Sequence, residues 1–420
     1  MGALSLLGMT FVVAKSGSFP CILFAMNEPT SPPGRPVLPI ISAVTFLSFL
    51  DTPLLIPIMA LYATGLGASV SISGLIIGIF SIVGTPASIY FGRLVDRFGY
   101  KIPLIAGLIG DAIALFLYTL CQSPLQLILV RALHGASSAV AGPATMSVMA
   151  DYAARTTKGK VMAFYGISIA TANLVGSGLS GVMASRLGYA AVFLIGSGLM
   201  LVTIILVLLL PGSRHKSDAI PRTSLGENLR QVKKLLVRRG LTMSYAAIFA
   251  QYFAFGGIAT LLPLYLKGYG MTAFHFGMLL AIFTLLFIVI QYPSGKLSDR
   301  VGRVAPTIAG LSLAIVSLAM LPFVSTFLLL AIVMAVYGLG YGLFFPSISA
   351  SVADHAPPGQ RGIATGIFYA ALVGGVAIGA PLMGWAGEVM GIQPALMFAP
   401  AFMALALVIA VTNLKRKEMV

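Results

Sequence analysis

The sequence predicts an all-α membrane protein whose twelve transmembrane helices form two pseudo-symmetric six-helix bundles. Three observations predict it: runs of about twenty apolar residues, the length that spans a bilayer as a helix, basic residues gathered in every second gap between them, and a self-similarity held at one offset.

Hydrophobic residues make up 58% of the chain and charged residues 9%, with a mean hydropathy of +1.00. A soluble domain of this length needs far more polar surface. The apolar runs fall at 38–61, 72–92, 102–121, 125–150, 161–184, 189–211, 242–266, 275–295, 305–323, 328–351, 363–386 and 394–413. They lack the polar–apolar alternation of barrel strands, so each is expected to be a helix.

A net charge of +15 invites a nucleic-acid reading, which the placement of the charges excludes. The even-numbered gaps and the two tails hold nearly all of the 26 basic residues, among them Arg93, Arg97, Lys101, Arg230, Lys233, Lys234, Lys296, Arg300 and Arg303. The other side holds Arg186 and Lys267, and Arg131 lies inside helix 4. By the positive-inside rule the protein sits in the cell (inner) membrane with both termini cytoplasmic. The organisation expected is a tail at 1–37, a six-helix bundle at 38–211, a linker at 212–240, a second bundle at 241–413 and a tail at 414–420. Residues before Met26 are patchily apolar, and Met26 is an alternative start. Cys21 and Cys121 fall on opposite sides and cannot pair. No metal-type spacing or G-x-x-x-x-G-K-[ST] loop occurs, so no metal, cofactor, ATP-driven pump or enzyme is expected.

Placing residue n over n+203 aligns the halves without a gap. Gly92, Leu94, Asp96, Arg97 and Gly99 fall on Gly295, Leu297, Asp299, Arg300 and Gly302; Gly135, Pro143 and Asp151 fall on Gly338, Pro346 and Asp354. Two halves related by an axis along the membrane normal imply a solute site at their interface near mid-membrane. In the linker, Ser224–Arg239 is expected to form an amphipathic helix. Ser224 and Glu227 have capping-box spacing, and Leu225, Leu229, Val232 and Leu236 make an apolar stripe opposite a basic face suited to anionic lipid.

The loops Gly92-Arg93-Leu94-Val95-Asp96-Arg97-Phe98-Gly99-Tyr100-Lys101 and Gly295-Lys296-Leu297-Ser298-Asp299-Arg300-Val301-Gly302-Arg303 resemble the signature of the major facilitator superfamily. The resemblance covers almost the whole chain. It implies the major facilitator fold, transport by alternating access, and gating loops built from Gly92, Asp96, Arg97, Gly99, Asp151, Gly295, Asp299, Arg300, Gly302 and Asp354. In the family this cluster latches the inner side of the outward-open state. Tyr100 and Val304 depart from the usual basic residues. The run Gly176-Ser177-Gly178-Leu179-Ser180-Gly181 resembles a degraded glycine-proline motif of the drug–proton antiporter branch; close helix packing through small residues is the plainer reading.

The halves diverge chemically. Asp51, Asp111, Arg131 and His134 fall on Ala254, Ala314, Met334 and Tyr337. An ionisable group at the bilayer centre costs ~2.5–3.5 kcal/mol on the insertion scale, so each needs a partner or a function. Asp51 and Arg131 resemble the acid–arginine pair of drug–proton antiporters and, with His134, are the residues expected to couple protons. Asp111, on a peripheral helix, is expected to make a structural hydrogen bond. Arg131, Gly135, Ser138, Gly142 and Thr145 form one small polar face of helix 4, expected to line the cavity. Ser138, Asn173, Gln251, Tyr252, Tyr337, Tyr341 and Phe345 are the candidate solute contacts, a half-charged and half-aromatic lining that suits a lipophilic or weakly cationic compound. The expected function is proton-coupled export of such compounds by a monomer; uptake of a small metabolite and lipid or glycolipid flipping are the alternatives on the same fold.

Overall fold

The computed structural model describes residues 5–6, 9–14, 21–26, 37–153, 158–210, 225–238, 240–357 and 360–415. The chain divides into a small unit, Met1–Pro39, and a large one, Ile40–Val420. The small unit holds a three-stranded antiparallel sheet, β1 (Ser5–Leu6), β2 (Met9–Ala14) and β3 (Cys21–Met26), in the order β1-β2-β3. Met9 pairs with Met26 and Ala14 with Cys21. The residues expected to be a plain tail therefore include β-forming runs, Thr10–Val13 and Ile22–Phe24, rich in β-branched and aromatic residues.

Among the described residues, twelve helices are long and apolar enough to cross a membrane. Spans 1–6 are Val37–Gly65, Val70–Phe98, Lys101–Tyr118, Pro124–Met149, Phe164–Leu187 and Tyr189–Leu209. Spans 7–12 are Leu241–Gly268, Ala273–Val301, Val304–Phe323, Phe327–His355, Arg361–Met390 and Ile392–Thr412. Every expected helix has a counterpart.

Packing repeats between the halves. Spans 1 and 5, 2 and 4, 3 and 4, and 3 and 6 pack together, and so do 7 and 11, 8 and 10, 9 and 10, and 9 and 12. Spans 2 with 11 and 5 with 8 join the halves. Spans 3, 6, 9 and 12 carry exposed large apolar side chains, among them Ile102, Ile205, Val316 and Val408. Such a surface is stable only against hydrocarbon.

Two proline-linked breaks shape the first half. Span 1 is interrupted at Phe49–Leu50 and resumes as Asp51–Gly65. Pro53 lacks the N–H that the Phe49 carbonyl would accept, and in the first turn of a new helix that loss costs little. Span 4 breaks at Ala139–Val140 and resumes as Ala141–Ala153, with Pro143 in the same place relative to Ala139. The breaks put Asp51 on the first turn of one half-helix and His134 on the last turns of another.

In the linker, the helix Leu225–Leu236 packs against spans 7 and 11. Its buried anchor is Leu235, whereas Leu236, expected in the apolar stripe, is 45% exposed. The side chains of Leu225 and Leu229, also in the expected stripe, lie outside the described residues. Ser224 of the expected capping box lies outside the described residues.

Candidate functional site

The end of the bundle that carries the Gly92–Lys101 and Gly295–Arg303 loops is called here the basic end. Charge clusters in two places: buried in the first half, and exposed at this end.

The buried cluster differs from the expected Asp51–Arg131 pair. His134 Nε2 lies 2.8 Å from Asp51 Oδ2, with His134 fully buried and Asp51 1% exposed. Arg131 reaches the other ring nitrogen: its guanidinium is 3.4 Å from His134 Nδ1 and lies over the Phe80 ring, 4.5 Å from the centroid. The Tyr118 hydroxyl is 3.1 Å from the same Nδ1. A guanidinium only donates, so Nδ1 must accept and the ring proton belongs on Nε2, where it is donated to the Asp51 carboxylate. Histidine, one helical turn nearer to Asp51, takes the place expected of Arg131 because span 2 approaches so closely. A Cβ on Gly135 would stand 2.4 Å from the Phe80 carbonyl oxygen, so this part of span 4 packs on span 2 and lines no cavity. Towards the basic end Gly142 meets open space and Ser138 is half-buried, whereas Thr145 is buried and donates to the Ala141 carbonyl at 2.6 Å, so the expected polar face is open only at Ser138 and Gly142.

Asp111 makes the hydrogen bond expected of it and also joins the buried cluster. Its Oδ1 is 2.6 Å from Ser137 Oγ and 3.9 Å from His134 Nε2. Ligand atoms of Asp51, Asp111 and His134 lie within 4.8 Å of one another. The fixed charge of Arg131 on the far side of the imidazole opposes a divalent cation there. What the arrangement offers is two carboxyl groups and an imidazole, all titratable, within hydrogen-bonding reach of one another or of shared partners.

The second half places aromatic rings where the first half has charge. Tyr341 stacks on Phe287 with centroids 4.3 Å apart, Tyr337 lies 4.8 Å from Phe283, and Phe345 lies 5.4 Å from Tyr341. This stripe is packed against span 8. Tyr337 and Tyr341 are buried; Phe345 and Tyr252 are half-buried. The Tyr341 hydroxyl donates to that of Tyr252 at 3.4 Å. Gln251 Oε1 and the Tyr337 hydroxyl are buried with no hydrogen-bond partner among the described residues. Asn173 donates to its own helix, at Ile169, over 2.9 Å.

At the basic end Arg303, not Arg300, is the hub. It donates to Asp299 at 2.6 Å, to Asp354 at 2.9 Å and to Ser298 at 3.1 Å, tying the start of span 9 to spans 8 and 10. The Asp299 carboxylate first, then Asp354, raises the Arg303 guanidinium above its ordinary value. Arg300 is exposed. In the first copy Asp96 and Arg97 are exposed, and Arg97 lies 5.0 Å over Phe98; the side chain of Asp151 lies outside the described residues. Lys101 donates to the Leu208 and Leu210 carbonyls at 3.0 and 2.9 Å, closing the C-terminus of span 6. Gly99 and Gly302 hold φ of +75° and +87°, which only glycine adopts without strain. Gly92 and Gly295 meet open space.

The halves touch at the end opposite the basic one. Cβ atoms on Gly74 and Gly181 would stand 2.4 Å from the carbonyl oxygens of Ala380 and Ala273 in the other half. Glu388, just beyond the apolar run expected for helix 11, accepts from the Ser69 hydroxyl at 2.6 Å and the Ser71 N–H at 2.8 Å, bridging span 11 to the start of span 2. On the same four helices Gly92, Gly166, Gly295 and Gly366, nearer the basic end, meet nothing within 4 Å. The small residues of span 5 thus serve close packing: Gly176 against span 1 and Gly181 against span 8. Sequence reading singled out neither Tyr118, Ser137 nor Glu388. Ser137 lies one residue from the chosen Ser138, and the helical period alone cannot say which faces span 3.

The profile described as Major Facilitator Superfamily matches residues 41–326 and again 245–419. An uncharacterised MFS-type transporter of Methanocaldococcus jannaschii is 26% identical over 385 residues, covering 90% of this chain and 98% of its own. Multidrug resistance protein MdtG of Citrobacter koseri is 26% identical over 321 residues, 74% of this chain and 78% of its own. The crystal structure of the nucleoside transporter NupG superposes with a TM-score of 0.75 at 15% identity, over 91% of this chain and 100% of that one, a likeness of fold.

Proposed function

Because this chain belongs to the Major Facilitator Superfamily, a family of membrane transporters and not of enzymes, we propose that it exports small lipophilic or weakly cationic compounds in exchange for protons. The observation that carries this reading is the Asp51–His134 contact, a fully buried acid–imidazole pair beside Arg131 with no counterpart in the second half. A titratable group at that depth is functional by default. The multidrug name of the Citrobacter koseri relative supports efflux. The aromatic stripe of Tyr252, Tyr341 and Phe345 offers faces for a lipophilic cation. Proton-coupled uptake of a small metabolite is the second reading. It is favoured by Gln251 Oε1 and the Tyr337 hydroxyl, two buried polar groups that face each other without a well-formed hydrogen bond and could turn to a polar solute.

In this reading the chain works as a monomer in the inner membrane with the basic end in the cytoplasm, and the conformer described is open to that side. Closing the basic end brings its gating loops together and parts the Gly74–Ala380, Gly181–Ala273 and Glu388–Ser69 contacts. Asp51 and His134, beside the fixed charge of Arg131, then exchange protons with the opposite side.

Each proton moving inward supplies ~2.3 kcal/mol per 100 mV, enough for a gradient of roughly 50-fold in a neutral solute. Asp51→Asn keeps the shape and a hydrogen-bond acceptor for His134 but cannot change charge. In proteoliposomes loaded with ethidium as probe, the variant is expected to lose accumulation driven by an imposed pH difference while retaining downhill exchange. A variant that still concentrates ethidium would return Asp51 to a structural role.

A further inference from the structure

Resting on the proton-coupled reading above, we propose that Asp111 of span 3 is a second proton-binding site, and that it holds the cluster's proton in the conformer described. Asp111 is 1% exposed, as buried as Asp51.

The charge count is the first reason. The titratable and charged groups of the cluster are Asp51 from span 1, within 4.8 Å of Asp111, His134 from span 4 at 3.9 Å, and, on the far nitrogen of the imidazole, Arg131 and Tyr118. Phe80 packs on His134 and Phe193 on Tyr118, neither adding charge to the cluster. Arg131 is always positive. Its contact with Nδ1 keeps His134 neutral, because a proton on that nitrogen would face a second donor. Two ionised carboxylates would leave the site with a net negative charge in an apolar interior, and one further proton makes it neutral.

Hydrogen counting places that proton. The Asp51 carboxylate already accepts the Nε2 proton at 2.8 Å. Ser137 has one hydroxyl hydrogen but three acceptors within reach: Asp111 Oδ1 at 2.6 Å, the Leu133 carbonyl at 3.0 Å and the His134 carbonyl at 3.2 Å. If Asp111 is protonated it donates to Ser137 Oγ, and the serine hydrogen passes on to Leu133. Two of the three contacts, those to Asp111 and Leu133, are then filled. An ionised Asp111 leaves one of them without a hydrogen. An independent feature points to a mobile charge here: Arg131 Nε, on a side chain 2% exposed, has no hydrogen-bond partner among the described residues. The guanidinium rests on the Phe80 ring face, His134 Nδ1 and the Tyr118 hydroxyl, and its unpaired Nε leaves it room to shift when the proton leaves Asp111.

The test is infrared spectroscopy of the full-length protein in lipid, in the stretch region of protonated carboxyl groups, at a mildly alkaline pH where exposed carboxyls are ionised. The wild type is expected to show a buried carboxyl band that Asp111→Asn abolishes. Asp51→Asn should abolish it as well, since Arg131 and an ionised Asp111 then balance. Ser137→Ala, a mild change, should keep the band and shift its frequency, because Ser137 touches Asp111 and not Asp51. A band that survives Asp111→Asn, a band that Ser137→Ala leaves in place unshifted, or no band in the wild type would each overturn the proposal. Failure of proton coupling itself reads out elsewhere, as wild-type proteoliposomes that move ethidium with no proton movement while the band persists.

Discussion

In the proposed cycle, Gly181→Ala adds one methyl group at a contact that exists only while the end opposite the basic one is closed. The new Cβ would stand 2.4 Å from the Ala273 carbonyl oxygen and 2.6 Å from Phe274 Cα, both backbone atoms of span 8. Backbone cannot rotate aside, so spans 5 and 8 must separate by several tenths of an ångström. Overpacking of this kind costs about 1–3 kcal/mol. The cost falls on one conformer and not on the other, so the equilibrium shifts by roughly 5- to 150-fold towards the form open at that end. The helix-propensity gain of alanine, about 0.5–1 kcal/mol, applies to both conformers and cancels. Spin labels at Leu187 and Tyr269, exposed positions in opposite halves at that end, report the separation by pulsed electron paramagnetic resonance. Gly178→Ala, three residues earlier, is the control: its Cβ meets only Ala281 Cβ at 3.7 Å, an ordinary contact. The expected result is a longer distance for Gly181→Ala and an unchanged one for Gly178→Ala. Equal distributions for both variants, at equal expression, would refute the contact as a conformational determinant.

Arg303→Ala should lower the melting temperature by no more than about 2 °C, because Asp299 and Asp354 are 69% and 50% exposed and exposed ion pairs contribute ~0–1 kcal/mol. The Arg303 guanidinium lies above its ordinary value, so its contribution is complete below that value and is lost only as pH rises through the higher, folded one. Stability should therefore be flat in this respect through the neutral range, and a neutral-pH step that Arg303→Ala removes would contradict the assignment. The Cys121 thiol is 7% exposed, donates to the Leu117 carbonyl at 3.5 Å and is pushed up by burial. An impermeant maleimide on intact cells should label it slowly, faster as pH rises, and label nothing at Cys21; labelling of Cys21 alone would invert the orientation read from the charges.

How much was legible beforehand depended on whether a property is local. Helix number and length follow from the hydrocarbon thickness, and each apolar run carries that information by itself. The repeat was equally legible, because a duplicated half keeps its glycines wherever two helices must touch, as at Gly135 and Gly338. The unusual residues Asp51, Asp111, Arg131 and His134 were visible as polar groups in apolar helices. Who partners whom was not. Arg131 and His134 are three residues apart on one face, so the helical period admits either as the neighbour of Asp51. The choice fell to span 2, whose close approach at Gly135 draws Arg131 onto Phe80 and leaves His134 to the carboxylate. Asp111 entered the cluster for the same kind of reason, since span 3 packs on span 4 at Ser137. Arg303 displaced Arg300 as the hub because the turn at Gly302 points it back towards Asp299 and Asp354. A sequence states how far each group lies along its own helix, and only the packed bundle, where close contacts are made through small residues, determines the distance between groups on different helices.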